Sequence, residues 1–430
     1  MQTASKKVVN GWAMYDWANS VYNLVITTTL FPAYYAVVTS LENFPNGVPF
    51  LGRNFNNTSL KDYVLSVGFL IIAILSPILS SIADYKGNKK NFMRFFCYMG
   101  ALSCMLMFFF DKNNVTLGLI CFMFAGIGFY GSQVFYNSFL PEIAAEEDRD
   151  RISAKGYSFG YAGSVLMQLV GFGLVMAMPD SAWPLKITFL LVGIWWVGFA
   201  QITFNVLPIS SKTERTARKN VLTNGFHELK LVWQQLIHLP VLKRFLFAFW
   251  FYSMGVQTVM LVGIDFGLKE IKLENTKLII AAVLMQLVAI IGAVGMSKLS
   301  KRFGNIQVLL MTLLLWIGVC MTAYFITTET EFFVLASLIG LVMGGVQSLS
   351  RSTYSKLMPE TRDTASFFSF YDVTEKLALV IGLFSFGLIE EFTHSMRNSV
   401  LVLIGFFVLG FIFLLLSLRA NKRILNPEKL

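Results

Sequence analysis

Twelve apolar runs, each near the ~20 residues a helix needs to cross a hydrocarbon core, leave this chain little choice of fold. They cover about 12–39, 62–83, 91–110, 115–138, 154–178, 184–207, 241–267, 275–297, 306–326, 331–354, 365–390 and 398–418. Lipid offers backbone amides no partner, so each run must satisfy its own as a helix. The expected fold is an all-α polytopic membrane protein with twelve transmembrane helices. Only 14% of the residues are charged, against about 25% in a soluble protein, which excludes a water-soluble chain. Pro32 lies inside the first run and is expected to kink it.

The net charge of +10 does not point to nucleic acid, because the basic residues cluster between apolar runs on alternate sides. With the N-terminus in the cytoplasm, that side holds about 25 Lys and Arg and the opposite side about 8. Both termini are therefore expected inside. Cys97, Cys104, Cys121 and Cys320 all lie within apolar runs, without metal-ligand spacing or a disulfide pattern, and read as packing residues. No metal or cofactor is expected. The first apolar run is too long for a cleaved leader and reads as a span.

The two halves repeat. Tyr136, Pro141 and Glu142 recur as Tyr354, Pro359 and Glu360, each 218 residues later, and Gly126 recurs as Gly344. Asp84-Tyr85-Lys86-Gly87 aligns with Lys301-Arg302-Phe303-Gly304 at an offset of 217, and Arg149-Asp150 with Arg362-Asp363 at 213. Each match falls at an equivalent helix end. This predicts two six-helix pseudo-repeats, 1–207 and 241–430, joined by a linker at 208–240. The linker opens with Lys212, Arg215, Arg218 and Lys219. It continues with Phe226, Leu229, Val232, Trp233, Leu236 and Ile237 on one helical face. That pattern suits a helix lying on the inner membrane surface, with a docking site for a soluble partner as the other reading.

The stretch Ser80-x-x-x-Asp84-Tyr85-x-Gly87-Asn88-Lys89-Lys90 resembles the loop signature of the major facilitator superfamily, although Ser80, Tyr85 and Asn88 depart from it. The resemblance implies two halves rocking about a midplane site. It also implies that Asp84 meets a helix N-terminus or an arginine and latches the outward-facing side shut. More narrowly, four segments resemble the vacuolar amino-acid effluxer family: Trp12–Ser20, Phe135–Glu142, Ser153-x-x-Gly156-x-x-x-Gly160-Tyr161, and Tyr371–Lys376. That likeness implies solute transport, with neutral amino acids the substrates of the family's fungal members.

Polar residues inside the runs mark candidate sites, because an ionisable group in a membrane is expensive. Asp16, Asn19 and Asn23 follow each other by three and four on the first helix, with Tyr22 nearby. Asn19, Tyr22 and Asn23 are expected substrate contacts, and Asp16 a gate. Gln133, Tyr161, Gln257 and Tyr371 are further expected contacts. Arg351 lies about one turn from the inner end of its run, where it can reach water or an inner-loop acid, and is expected to gate. Lys376 sits one turn after Asp372, so the two share a face and can pair. Its ammonium can hold a substrate carboxylate. Asp372 or Glu375 can take up a proton, which neutralises a costly buried charge and biases the rocking. The plain alternative is a permanent Asp372–Lys376 pair that sets helix register.

The favoured function is a secondary active transporter that moves a small polar solute, an amino acid or similar metabolite, by proton-coupled alternating access. A sugar or cell-wall fragment is the second substrate class, and a non-transporting receptor or scaffold the alternative of another kind. An enzyme is not expected: His227, His238 and His394 fall in loops or at helix ends, away from any nucleophile. No phosphate-cradling loop points to ATP. The expected partners are a small-molecule substrate, membrane lipid and protons, with no nucleic acid. The expected form is a monomer in a bacterial cytoplasmic membrane.

Overall fold

The computed structural model describes residues 2–178, 181–209 and 221–425. Its thirteen principal helices are α1 (Lys6–Val38), α2 (Asn57–Lys86), α3 (Lys89–Leu106), α4 (Val115–Ser138), α5 (Arg149–Ala177), α6 (Trp183–Val206) and α7 (Val221–Ile237), then α8 (Pro240–Lys269), α9 (Asn275–Phe303), α10 (Asn305–Phe325), α11 (Glu329–Leu357), α12 (Thr364–Thr393) and α13 (Met396–Leu425). Eleven are long and apolar enough to cross a membrane. The twelfth, α12, is 30 residues long, and its first half carries the ionisable residues Asp372, Glu375 and Lys376. Their surfaces expose large apolar side chains such as Leu70, Ile291 and Phe384. In water these would be a liability; in lipid they face the solvent they match.

Helix ends follow local chemistry. Thr328 caps α11 by accepting from Glu331 N, while the Glu331 carboxylate accepts from the Thr328 backbone. α2 and α9 end at glycines with left-handed φ, +65° at Gly87 and +86° at Gly304. These are the two glycines 217 positions apart in the sequence, so the repeat recurs as backbone geometry.

Packing follows the same twofold pattern. α1 lies against α5 and α6 as α8 lies against α12 and α13. α2 crosses to α12 of the other half as α9 crosses to α5. One apolar core fills the first half, around Trp12, Phe31, Phe122 and Trp196, and another fills the second, around Trp316, Phe332 and Phe407.

Three local features add to this outline. First, α1 runs on through Pro32 to Val38. The preceding stretch Tyr22–Leu30 widens into a π-helix, with Phe31 N donating to Ile26 O five residues back. Pro32 has no N–H to give to Thr28 O, and the wider turn redistributes those bonds. Second, the loop after α1 forms a hairpin of β1 (Val48–Phe50) and β2 (Arg53–Phe55), with Val48 opposite Phe55. Third, the linker helix α7 packs on α2, α8 and α12. Val232 and Leu236 are buried there, and the Trp233 ring sits 5.8 Å from that of Phe370. The basic lead at Lys212, Arg215, Arg218 and Lys219 lies outside the described residues.

Candidate functional site

The charges on α12 converge. Lys376 Nζ lies 2.9 Å from Asp372 Oδ1, one turn earlier, and 2.9 Å from Glu375 Oε2. Glu375 Oε1 accepts a bond from Gln257 Nε2 of α8 at 2.9 Å. The ammonium also stands 4.4 Å above the Tyr130 ring of α4, a cation–π contact made across the two halves. Lys376 is 2% and Asp372 3% exposed. Two carboxylates therefore share one cation, and Asp372 Oδ2 is buried without a partner among the described residues.

These groups form one wall of a cavity of about 90 Å³ between the halves. Of the residues singled out in the sequence, Asp16, Asn23, Gln133, Tyr161, Gln257, Tyr371, Asp372, Glu375 and Lys376 line it. Within the first half, Tyr130 donates to Asn23 Oδ1 at 3.3 Å. Tyr161 donates to Gln347 Oε1 on α11, across the divide.

Asn19 and Tyr22 do not line the cavity. Both are fully buried within the first half, where Tyr22 stacks on Trp196 and donates to Phe122 O. The reason is angular. A helix advances about 100° per residue, so Asp16 and Asn23, seven apart, share a face within about 20°. Ser20 lies about 40° to the other side of Asp16 and also lines the cavity, whereas Asn19 lies past Asn23, about 100° from Ser20, and turns into the first half. Ser20 and Tyr130 are among the lining residues that the sequence reading did not single out, with Leu24, Phe129 and Met260. Tyr130 sits one turn before Gln133, a spacing that places both on one face.

The end of the cavity nearer the chain termini is closed by Arg351. Its Nη1 lies 3.1 Å from Asp16 Oδ2 and 3.2 Å from Asn137 Oδ1; Nε donates to Ser153 Oγ at 3.0 Å and Nη2 to Ser153 O at 2.8 Å. Trp12, Tyr136 and Tyr157 surround the guanidinium, with ring centroids 4.9, 5.5 and 4.2 Å away. The sequence suggested water or an inner-loop acid as the partner. Arg351 is instead 1% exposed and pairs with Asp16 on α1 of the other half.

Two further polar clusters tie the halves at the same end. Asp84 accepts from Ala365 N at 3.2 Å and Ser366 N at 2.7 Å, capping α12, and pairs with Lys89 at 2.9 Å. Lys89 also bonds Thr364 Oγ1 and the Glu142 carboxylate. Lys89 thus supplies the cation that Tyr85 cannot. The contact lies at the terminus end, where α2 ends and α12 begins, not at the opposite end suggested by the sequence. In the mirrored arrangement, Asp150 of α5 accepts from Ser300 Oγ and Asn305 Nδ2 and pairs with Lys356, each at 2.7 Å. Beyond the cavity, on the far side, Gln286 Nε2 donates to Gln168 Oε1 across the halves at 2.9 Å.

Comparison with known proteins agrees with this architecture. A family model described as vacuole effluxer Atg22-like matches residues 4–424. The chain is 30% identical to YxiO of Bacillus subtilis, described as an uncharacterized MFS-type transporter, over 95% of this chain and 94% of that one. It is 25% identical to autophagy-related protein 22 of Saccharomyces cerevisiae, over 95% and 90% of the two chains. Among solved structures, it superposes on the fucose transporter FucP in an outward conformation with a TM-score of 0.70. That match has 15% identity and covers 96% of this chain and 97% of that one. A bacterial homologue of ferroportin in an outward-facing state gives a TM-score of 0.68 at 13% identity, covering 95% and 98%. At such identities the structural likeness is one of fold.

Proposed function

The chain belongs to the vacuole effluxer Atg22-like family of major facilitator transporters, and from that premise we propose that it moves an amino acid or similar small zwitterion by proton-coupled alternating access. One observation carries the substrate reading: a buried lysine shared by two carboxylates, one of which keeps an unpartnered oxygen, in a cavity walled by both halves. An incoming ammonium meets the carboxylate oxygens. Protonation of Asp372 frees Lys376 for the solute's carboxylate, so proton and solute bind together. Asn23, Gln133, Tyr161, Gln257 and Tyr371 hold the remaining polar groups, and Asp16, Arg351 and Asp84 gate the terminus side. Each half supplies one wall, so a single chain completes the site and a monomer suffices. The Lys and Arg asymmetry supports both termini in the cytoplasm of a bacterial cell.

The test is uptake of an amino-acid mixture into proteoliposomes with an imposed pH gradient, read by mass spectrometry. The expected result is gradient-dependent accumulation, abolished in Lys376→Ala. In Asp372→Asn, solute exchange is expected to persist while the response to the gradient disappears. Unchanged transport by Lys376→Ala would reduce that lysine to a register-setting partner. Transport of a sugar but no amino acid favours the second substrate class, for which the tyrosine and amide lining offers stacking faces and hydrogen bonds.

A further inference from the structure

A second cavity, of about 100 Å³, lies within the second half beside the first. Its walls come from α8, α9, α10, α11, α12 and α13 and are almost wholly apolar, with Ala281, Ala336, Val319 and Phe332 among them. Two residues, Leu24 of α1 and Met260 of α8, line both cavities. The polar chamber and the apolar one therefore meet at a shared wall. Leu24 lies in the π-helical stretch of α1, as do Asn23, which faces the polar chamber, and Thr28, which faces the apolar one. The widened turn before Pro32 thus serves both spaces with one helix. Gln286 stands at the rim of the apolar chamber, where its bond to Gln168 joins the halves.

An apolar space with room for a short hydrocarbon chain stands out in a protein interior, which is otherwise filled almost to crystal density. Met260 is unbranched and adaptable, the kind of side chain that can move aside at such a junction. We propose that the apolar chamber is a subsite of the transport pathway that receives the tail of an amphipathic solute, whose ammonium-bearing head sits at Asp372, Glu375 and Lys376. This rests on the zwitterion reading of the polar chamber and extends it. The chamber selects solutes with an apolar tail longer than that of common amino acids. A bilayer acyl chain is the competing occupant.

The experiment uses the purified full chain in nanodiscs and a homologous probe series: alanine, norvaline, norleucine and α-aminooctanoate. Affinity is read from ligand-induced thermal stabilisation. Each methylene entering the chamber is expected to tighten binding by about fourfold, the factor that ~0.8 kcal/mol per buried CH₂ supplies. In Ala336→Phe, which fills the chamber, the ratio of α-aminooctanoate to alanine affinity should fall towards one. That ratio is internal to each protein, and the wild-type series decides the question even if the variant does not fold. Binding of alanine with no dependence on tail length overturns the subsite and assigns the chamber to lipid. Binding of none of the four probes instead overturns the zwitterion reading of the polar chamber, and the subsite with it.

Discussion

Arg351 commits all three of its guanidinium nitrogens to the opposite half of the molecule. A charge this deep is tolerable only because its hydrogen bonds and three aromatic faces replace the water it has lost. Removing it leaves Asp16 buried with the Tyr136 hydroxyl at 2.7 Å and no cation. Arg351→Met is therefore expected to destabilise the protein by about 3–5 kcal/mol, the cost of orphaning one member of a buried pair. Asp16→Asn/Arg351→Met should lose less than the two single variants added together, with a coupling of about 1–3 kcal/mol, measured by denaturant unfolding in detergent. Additive losses would show that the two side chains do not act as a pair. At this scale the sequence was partly legible: Asp16 and Arg351 are both conspicuous charges in apolar runs, but their partnership spans 335 positions and has no local signature.

Among the elements, α1 and α5 show how small residues set a helix–helix distance. Gly156, Gly160 and Gly163 of α5 all face α1. A Cβ at Gly163 would lie 2.8 Å from Trp17 O, a backbone atom that cannot swing away. A Cβ at Gly160 would lie 2.4 Å from Ser20 Oγ, a hydroxyl on a rotatable bond. Gly163→Ala is thus expected to cost about 1–3 kcal/mol through overpacking and Gly160→Ala distinctly less, although its contact is the shorter. Thermal unfolding of the two variants side by side checks this, and the reverse order would mean that Ser20 is the more rigid neighbour. The glycine spacing was visible in the sequence as a close-approach face. Which helix approaches it was not, because glycine marks the space without marking its occupant.

Across the whole molecule, polar ties between the halves are unevenly placed. The Asp84–Lys89 and Asp150–Lys356 latches and the Arg351 pair all lie at the terminus end, with Gln168–Gln286 at the other. Neutralising a latch should shift the rocking equilibrium towards the state that lacks it, since a tie made in one conformation alone biases the population of both. Asp84→Asn/Asp150→Asn, spin-labelled at the exposed Lys86 and Glu360, is expected to show longer inter-label distances than either single variant, read by pulsed electron–electron resonance. Identical distance distributions in wild type and double variant would remove the latches from the gating mechanism.

What could be read along the chain was whatever repeats or faces itself locally. Apolar runs long enough to cross lipid, the offset between the halves and the paired charges on α12 all follow from spacing within one helix or between equivalent helix ends. The wall of the cavity followed less closely, as Asn19, Tyr22 and Ser20 show: a turn of about 60° between neighbouring positions of one polar stripe decides which side chain meets the solute. The mirrored Asp150 latch, the aromatic enclosure of Arg351 and the apolar chamber behind Leu24 and Met260 came only from the packed molecule. Each depends on how far helices are rotated and tilted against partners that lie remote in sequence. Burial in lipid obliges every helix to form but leaves open which of its faces turns inward, and only the mutual fit of twelve of them resolves that.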